Sequence, residues 1–207
     1  PAPSAAPAAP DDGHDRALAE AVAGVESQAL ATLLKDHWAW TLEQDPIMAT
    51  RLGDKRFDGH LRDHTAAAEK ARQAKRRALR AQAQAIDPAT QTPADRLTQE
   101  LLLEELENAI TSEVCRFAEW TVNARSTPIT RYNRLPEEHK LRGPADVDTL
   151  LARYEAMGPA IDAEGEALRR GAADGLFAPA EAVRRVLGMV EEQLAADPST
   201  WAMSKPV

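Results

Sequence analysis

Two histidines, His60 and His64, stand four residues apart with Asp58 and Asp63 beside them. On a helix that spacing would put both imidazoles on one face, as zinc sites require. Gly59 and the turn-rich run DKRFDGHLRDH over 54–64 argue against a helix there, which makes a solvated turn the better reading. His14, His37 and His139 have no partner at ligand spacing. Lys70, Arg72, Lys75, Arg76, Arg77 and Arg80 resemble a nucleic-acid patch. No aromatic residue interleaves them, so a face paired with glutamates is favoured over a nucleic-acid partner. Cys115, the one cysteine, lies beside an apolar stripe with no histidine near it in sequence. It is expected to be a small buried side chain rather than a nucleophile. The glycines form no phosphate loop, and paired carboxylates sit on charged helix faces. The residues themselves therefore assign no catalytic and no metal-ligating set.

The elements that would position these groups are helical. Apolar residues from Leu18 to Leu42 recur at spacings of three to five, which predicts one long helix from Asp15. Asp45-Pro46 caps a short helix, Ile47 to Leu52, that stops at Gly53. Residues 54–64 read as a loop anchored by Phe57 and Leu61. Thr65 caps a basic helix running to about Ile86, and Thr92-Pro93 opens an acidic one whose stripe runs from Leu97 to Phe117. The short connection makes these two antiparallel, with opposite charges facing. Residues 121–144 are a long irregular crossover. Pro144 starts a further helix, Gly158-Pro159 kinks or breaks it, and its second part closes at Gly171 or Gly175. Pro179 opens the last helix, which Asp197-Pro198 ends. No run alternates with period two, so the fold class is all-α with about six helices.

Length and charge narrow the function. The chain has 207 residues and a formal net charge of −8, enough for one domain and unlike the basic excess of nucleic-acid binders. No apolar run is long enough to span a bilayer. The first ten residues, PAPSAAPAAP, suit an extended tether, and the expected organisation is a disordered tether over 1–14 followed by a helical domain over 15–207. That tether is either a cloning remnant or frayed end, or the spacer behind a removed signal peptide or lipid anchor; the second reading implies export.

Three segments in order carry a resemblance. His37-Trp38 leads to Pro46-Ile47-Met48-Ala49-Thr50-Arg51-Leu52-Gly53-Asp54-Lys55-Arg56-Phe57-Asp58, then Leu61 and Asp63. Asp95-Arg96-Leu97 opens the acidic helix, and Asp146, Leu150, Leu151, Arg153 and Tyr154 precede Leu168-Arg169-Arg170-Gly171, Gly175, Pro179, Val183 and Val186. Their order and spacing over about 30–200 resemble the amino-terminal part of the exported bacterial family called domain of unknown function 885. The crossover departs from that pattern in lacking a Gly-rich stretch.

The resemblance implies a zinc-dependent peptidase, often a lipoprotein, in which metal-bound water and a Glu base attack a peptide carbonyl. Its zinc motif, a His-Glu pair followed by Pro-Gly-His, lies downstream of the matched part, and this sequence has no His-Glu dipeptide. The expectation is a non-catalytic amino-terminal helical region that walls a substrate channel. It would be a fragment, a truncated product or one chain of a split enzyme, and inactive alone. Its partners would be a carboxy-terminal catalytic part or partner chain and a peptide substrate, with zinc held by the parent and none in this chain. Arg56, Asp58, Asp63 and Arg131 are the candidate substrate-facing residues; the alternative role of the first three is to tie down their loop. Arg125, Tyr132 and Asn133 share the crossover with Arg131. The expected location is the periplasm, the outer membrane as a lipoprotein, or the secreted fraction. The competing reading is a self-contained helical binding module without enzymatic activity.

Overall fold

The computed structural model describes residues 13–205. The tether expected over 1–14 lies outside them, save for Gly13 and His14, which already belong to the first helix. Among the described residues there is no strand, and the fold is all-α. Six helices of twelve residues or more make the frame. None is long and apolar enough to cross a membrane.

The helix expected from Asp15 to Leu42 is two, α1 (Gly13–Ala21) and α2 (Gln28–Gln44). Gly24 takes a left-handed φ of 79°, which breaks the first helix. The Ser27 side chain then caps the second by accepting from the Leu30 amide. Asp95, 1 % exposed, reaches across from the start of the acidic helix to accept from the Glu26 and Ser27 amides at 3.2 and 2.8 Å. Periodicity continued through the break because Val22 and Val25 stay half-buried within it.

The capping residues act as their types predict. Asp45 accepts from the Met48 amide and Pro46 opens α3 (Pro46–Arg51), which ends before Gly53 at φ 90°. Thr65 caps α4 (Ala66–Gln84), and Thr92 caps α5 (Pro93–Thr111). These two lie side by side, and Leu33 of α2 joins Leu79, Ala83, Leu102 and Leu106 in one apolar core. Buried Gln99 closes the hairpin by donating to the carbonyls of Ala83 and Ile86 at 2.7 and 3.0 Å. The arginines of the basic run are charge-matched: Arg72 pairs with Glu69, Arg76 and Arg77 with Glu113, and Arg80 with Glu107.

The acidic helix stops at Thr111 rather than running to Phe117. A 3-10 turn, 112–115, leads to Arg116 in the left-handed region at φ 49°. The stripe's end therefore swings off the core, leaving Val114 80 % exposed and Cys115 exposed, not buried as expected. The crossover over 121–144 is not wholly irregular, because Thr127-Pro128 starts α6 (Pro128–Tyr132) and α7 (Leu135–Glu138) follows.

The Pro144 helix is α8 (Pro144–Glu155), and the break before α9 (Met157–Ala173) falls at Ala156. Pro159 thus stands in the first turn of α9, where its missing amide has no helical partner to lose. Tyr132, Leu135, Met157 and Ala160 form a second core. Gly171 lies against the backbone of Glu119, so a Cβ there would collide with the Glu119 carbonyl. After Gly175, φ 80°, the chain enters α10 (Ala180–Ala195), which has no buried residue.

Candidate functional site

Arg153 of α8 has no exposed surface and ties the first and third matched segments together. Its guanidinium donates to the carbonyls of His60 at 3.0 Å, Phe57 at 2.9 Å and Pro46 at 3.3 Å, and to the Thr50 hydroxyl at 2.8 Å. Asp58 is 3.9 Å away and accepts from the same hydroxyl at 2.5 Å. Burial pulls the guanidinium down to about 10 against the opposing pull of Asp58, so it remains a cation at neutral pH. Arg153 also contacts His139 Nδ1 at 3.4 Å, while Nε2 lies 2.8 Å from the Asp146 carbonyl. Only an imidazole protonated on Nε2 satisfies both. Lys55 completes the tie by donating to Asp146 at 2.7 Å, the largest cause of that carboxyl's lowered pKa.

This arrangement fixes the 54–64 loop and shows what its candidates touch. Arg56 grips Asp54 with a forked set of hydrogen bonds, Nε to Oδ1 at 3.0 Å and to Oδ2 at 3.2 Å, and Nη2 to Oδ2 at 2.8 Å. Burial would raise the Asp54 carboxyl, but the Arg56 hydrogen bonds outweigh it and the net shift is downward. Asp58 faces Thr50 and Arg153. Asp63 accepts from the Thr65 amide at 2.8 Å, and its carbonyl accepts from buried Arg72 at 2.8 Å. Each of the three thus has a partner that holds the loop, and none lines the main groove.

That groove, about 1020 Å³, is where the structure places Arg131. Its floor is the start of α3 with Leu61; one wall is Arg62, His64 and the first turns of α4. The Phe117–Thr121 segment lines the groove as well, together with Arg131 and Tyr132 of α6 and Glu164 and Arg170 of α9. Gly171 lets the 117–121 segment sit directly on α9, so a missing side chain sets that segment's position. Trp120 is held by its Nε1–H, which donates to the Cys115 carbonyl at 2.8 Å.

The ionic centre of the groove is Glu164, which accepts from Arg131 Nη1 at 2.6 Å and meets His64 Nε2 at 3.2 Å. Burial lowers the His64 pKa, with Arg131, Arg62 and Arg72 adding to that effect against Glu164. For Arg131, burial pulls downward, but the Glu164 hydrogen bond wins and the guanidinium is raised. His60, by contrast, contributes only its backbone carbonyl, to Arg153. The two histidines therefore do not converge.

Sequence reasoning missed Arg153, Asp95 and Arg62 as organising or site residues. Arg153 had a legible signal, because it stands in the buried register of Leu150, Arg153 and Met157. For Asp95 the signal was used only for its own helix start. The zinc that the resemblance implies finds no ligand set here: among the described residues, no three His, Cys, Asp or Glu side chains converge.

A family profile described as "Bacterial protein of unknown function (DUF885)" matches residues 46–207. No curated protein and no solved structure matches significantly.

Proposed function

The chain belongs to the DUF885 family, and from that premise we propose that it is a non-catalytic helical wall of a peptide-binding channel in an exported zinc-dependent peptidase. The groove carries this reading: about 1020 Å³ between α4, the 117–121 segment and α9 is room for several residues of extended peptide. Apolar surface outside the groove supports it as well. Ile161, Phe177, Leu187 and Leu194 are exposed on the α9–α10 side, the kind of surface that packs against further polypeptide. A self-contained binding module would bury such a face.

In this role the wall positions peptide and excludes water; zinc, if held by residues outside this chain, would supply an activated water for attack on the peptide carbonyl. The purified chain is expected to hold no stoichiometric zinc after dialysis and to leave peptides intact when zinc is added. Zinc retained one to one, with hydrolysis that a chelator stops, would make this chain catalytic and overturn the proposal. Cell fractionation tests the export, to the periplasm, the outer membrane as a lipoprotein or the medium.

A further inference from the structure

The charges lining the groove do not balance partner for partner. Its acidic groups are all engaged. Glu69 pairs with Arg72 and Arg76, Glu164 with Arg131 and His64, and Glu119 with Arg116. Asp45 is the helix cap that accepts from the Met48 amide. Three cations of the same lining, Arg62, Lys70 and Arg170, have no acidic partner among the described residues. All three are exposed toward solvent. This local surplus exists in a chain whose formal net charge is −8.

Arg62 is the most telling of the three. Its side chain is solvent-accessible, yet the protein around it is dense enough that desolvation is the largest cause lowering its pKa. Arg72 and Arg76 push the same way, and Glu69 and Asp45 pull back without reversing the sign. A guanidinium so placed gains from a carboxylate that arrives with a ligand, because the fork of N–H donors matches two oxygens and the site is partly desolvated. In the same lining, exposed Phe117 and half-buried Trp120 offer apolar and aromatic surface.

Resting on the groove as a peptide site, we infer that it selects peptides carrying acidic side chains, with Arg62, Lys70 and Arg170 binding carboxylates and the aromatic side chains binding apolar residues between them. Arg131 is not a free contact in this scheme, since Glu164 already neutralises it.

The test uses three fluorescently labelled peptides of one length, with Phe alternating with Glu, Gln or Lys, and reads affinity by anisotropy. The Glu peptide is expected to bind at least about tenfold tighter than the Gln peptide at low salt, with the Lys peptide weakest and the difference shrinking as salt rises. The double variant Arg62→Gln/Arg170→Gln should keep its melting temperature, as both side chains are exposed, and lose most of that preference. Equal affinity for the Glu and Gln peptides overturns the acidic selection while leaving the groove a peptide site. No binding of any peptide overturns both. A preference that survives in the double variant, and in Lys70→Gln added to it, overturns the assignment to these cations.

Discussion

The α4–α5 hairpin and α10 carry the same sequence signal, apolar residues at helical spacing opposite a charged face, and end in different states. In the hairpin, Leu79, Ala83, Leu102 and Leu106 close on α2 and are almost entirely buried, with Leu97 and Leu101 of the same stripe left outside that core. In α10, Val183, Val186 and Val190 are only half-buried, while Leu187 and Leu194 are 54 % and 71 % exposed. One side-chain hydrogen bond, Asn133 to Gln193 at 3.2 Å, ties α10 to the end of α6. Periodicity thus states that a face is to be covered but not by what. In the hairpin the partner is the next helix in sequence; for α10, in the reading proposed above, it is polypeptide from the rest of the channel.

A third region sharpens that contrast, since α8 is secured by charge rather than by apolar area. Arg153→Met removes four hydrogen bonds and the ion pair to Asp58 at once, and takes the guanidinium from the carbonyls of Pro46, Phe57 and His60. The expected loss is about 3–5 kcal/mol of unfolding free energy, read from the denaturant midpoint. Leu79→Ala and Leu106→Ala come next, at about 2–5 kcal/mol each. Leu187→Ala and Leu194→Ala should change stability by less than about 0.5 kcal/mol, and a large loss there would show that α10 packs more tightly than its exposure says.

Gly171→Ala is aimed at the groove and falls between the core and α10 substitutions in size. The new methyl displaces the Glu119 backbone, at an expected cost of about 1–3 kcal/mol. It should also shift Trp120 emission, which Leu187→Ala leaves unchanged. The smallest effect is in pH. Burial is the leading cause that lowers the pKa of both His37 and His64. Between the folded and unfolded values the unfolded chain binds more protons, so their contribution is complete above about pH 6.5 and falls as pH drops toward the folded values. A melting-temperature profile from pH 8 to 5 should decline, and His64→Gln should flatten part of that decline.

What the sequence made legible follows locality. Asp45-Pro46, Thr65 and Thr92-Pro93 specify helix starts through bonds reaching only three residues, and each cap forms. Charge matching between α4 and the segment from α5 to Glu113 was equally legible, because a short connection forces the two faces together. Groups that act over long separations were not. Asp95 caps a segment 68 residues away, and Arg153 binds carbonyls 93 to 107 residues away. The turn at 112–116 was missed because apolar spacing continues through Val114 and Phe117 although the helix has ended. Of the four candidate site residues, Arg131 lines the groove, whereas Arg56, Asp58 and Asp63 contact their own loop and its anchors. The two types are indistinguishable by composition, because in both a charged side chain sits in an irregular segment.

The central claim, a wall that binds peptide without cutting it, is tested most directly by hydrogen exchange on the chain with a Glu/Phe peptide and added zinc. The same samples report peptide mass. The account predicts slower exchange over 62–70 and 117–121, none over α10, and an intact peptide. Zinc-dependent cleavage, or protection confined to α10 with none in the groove, would contradict it.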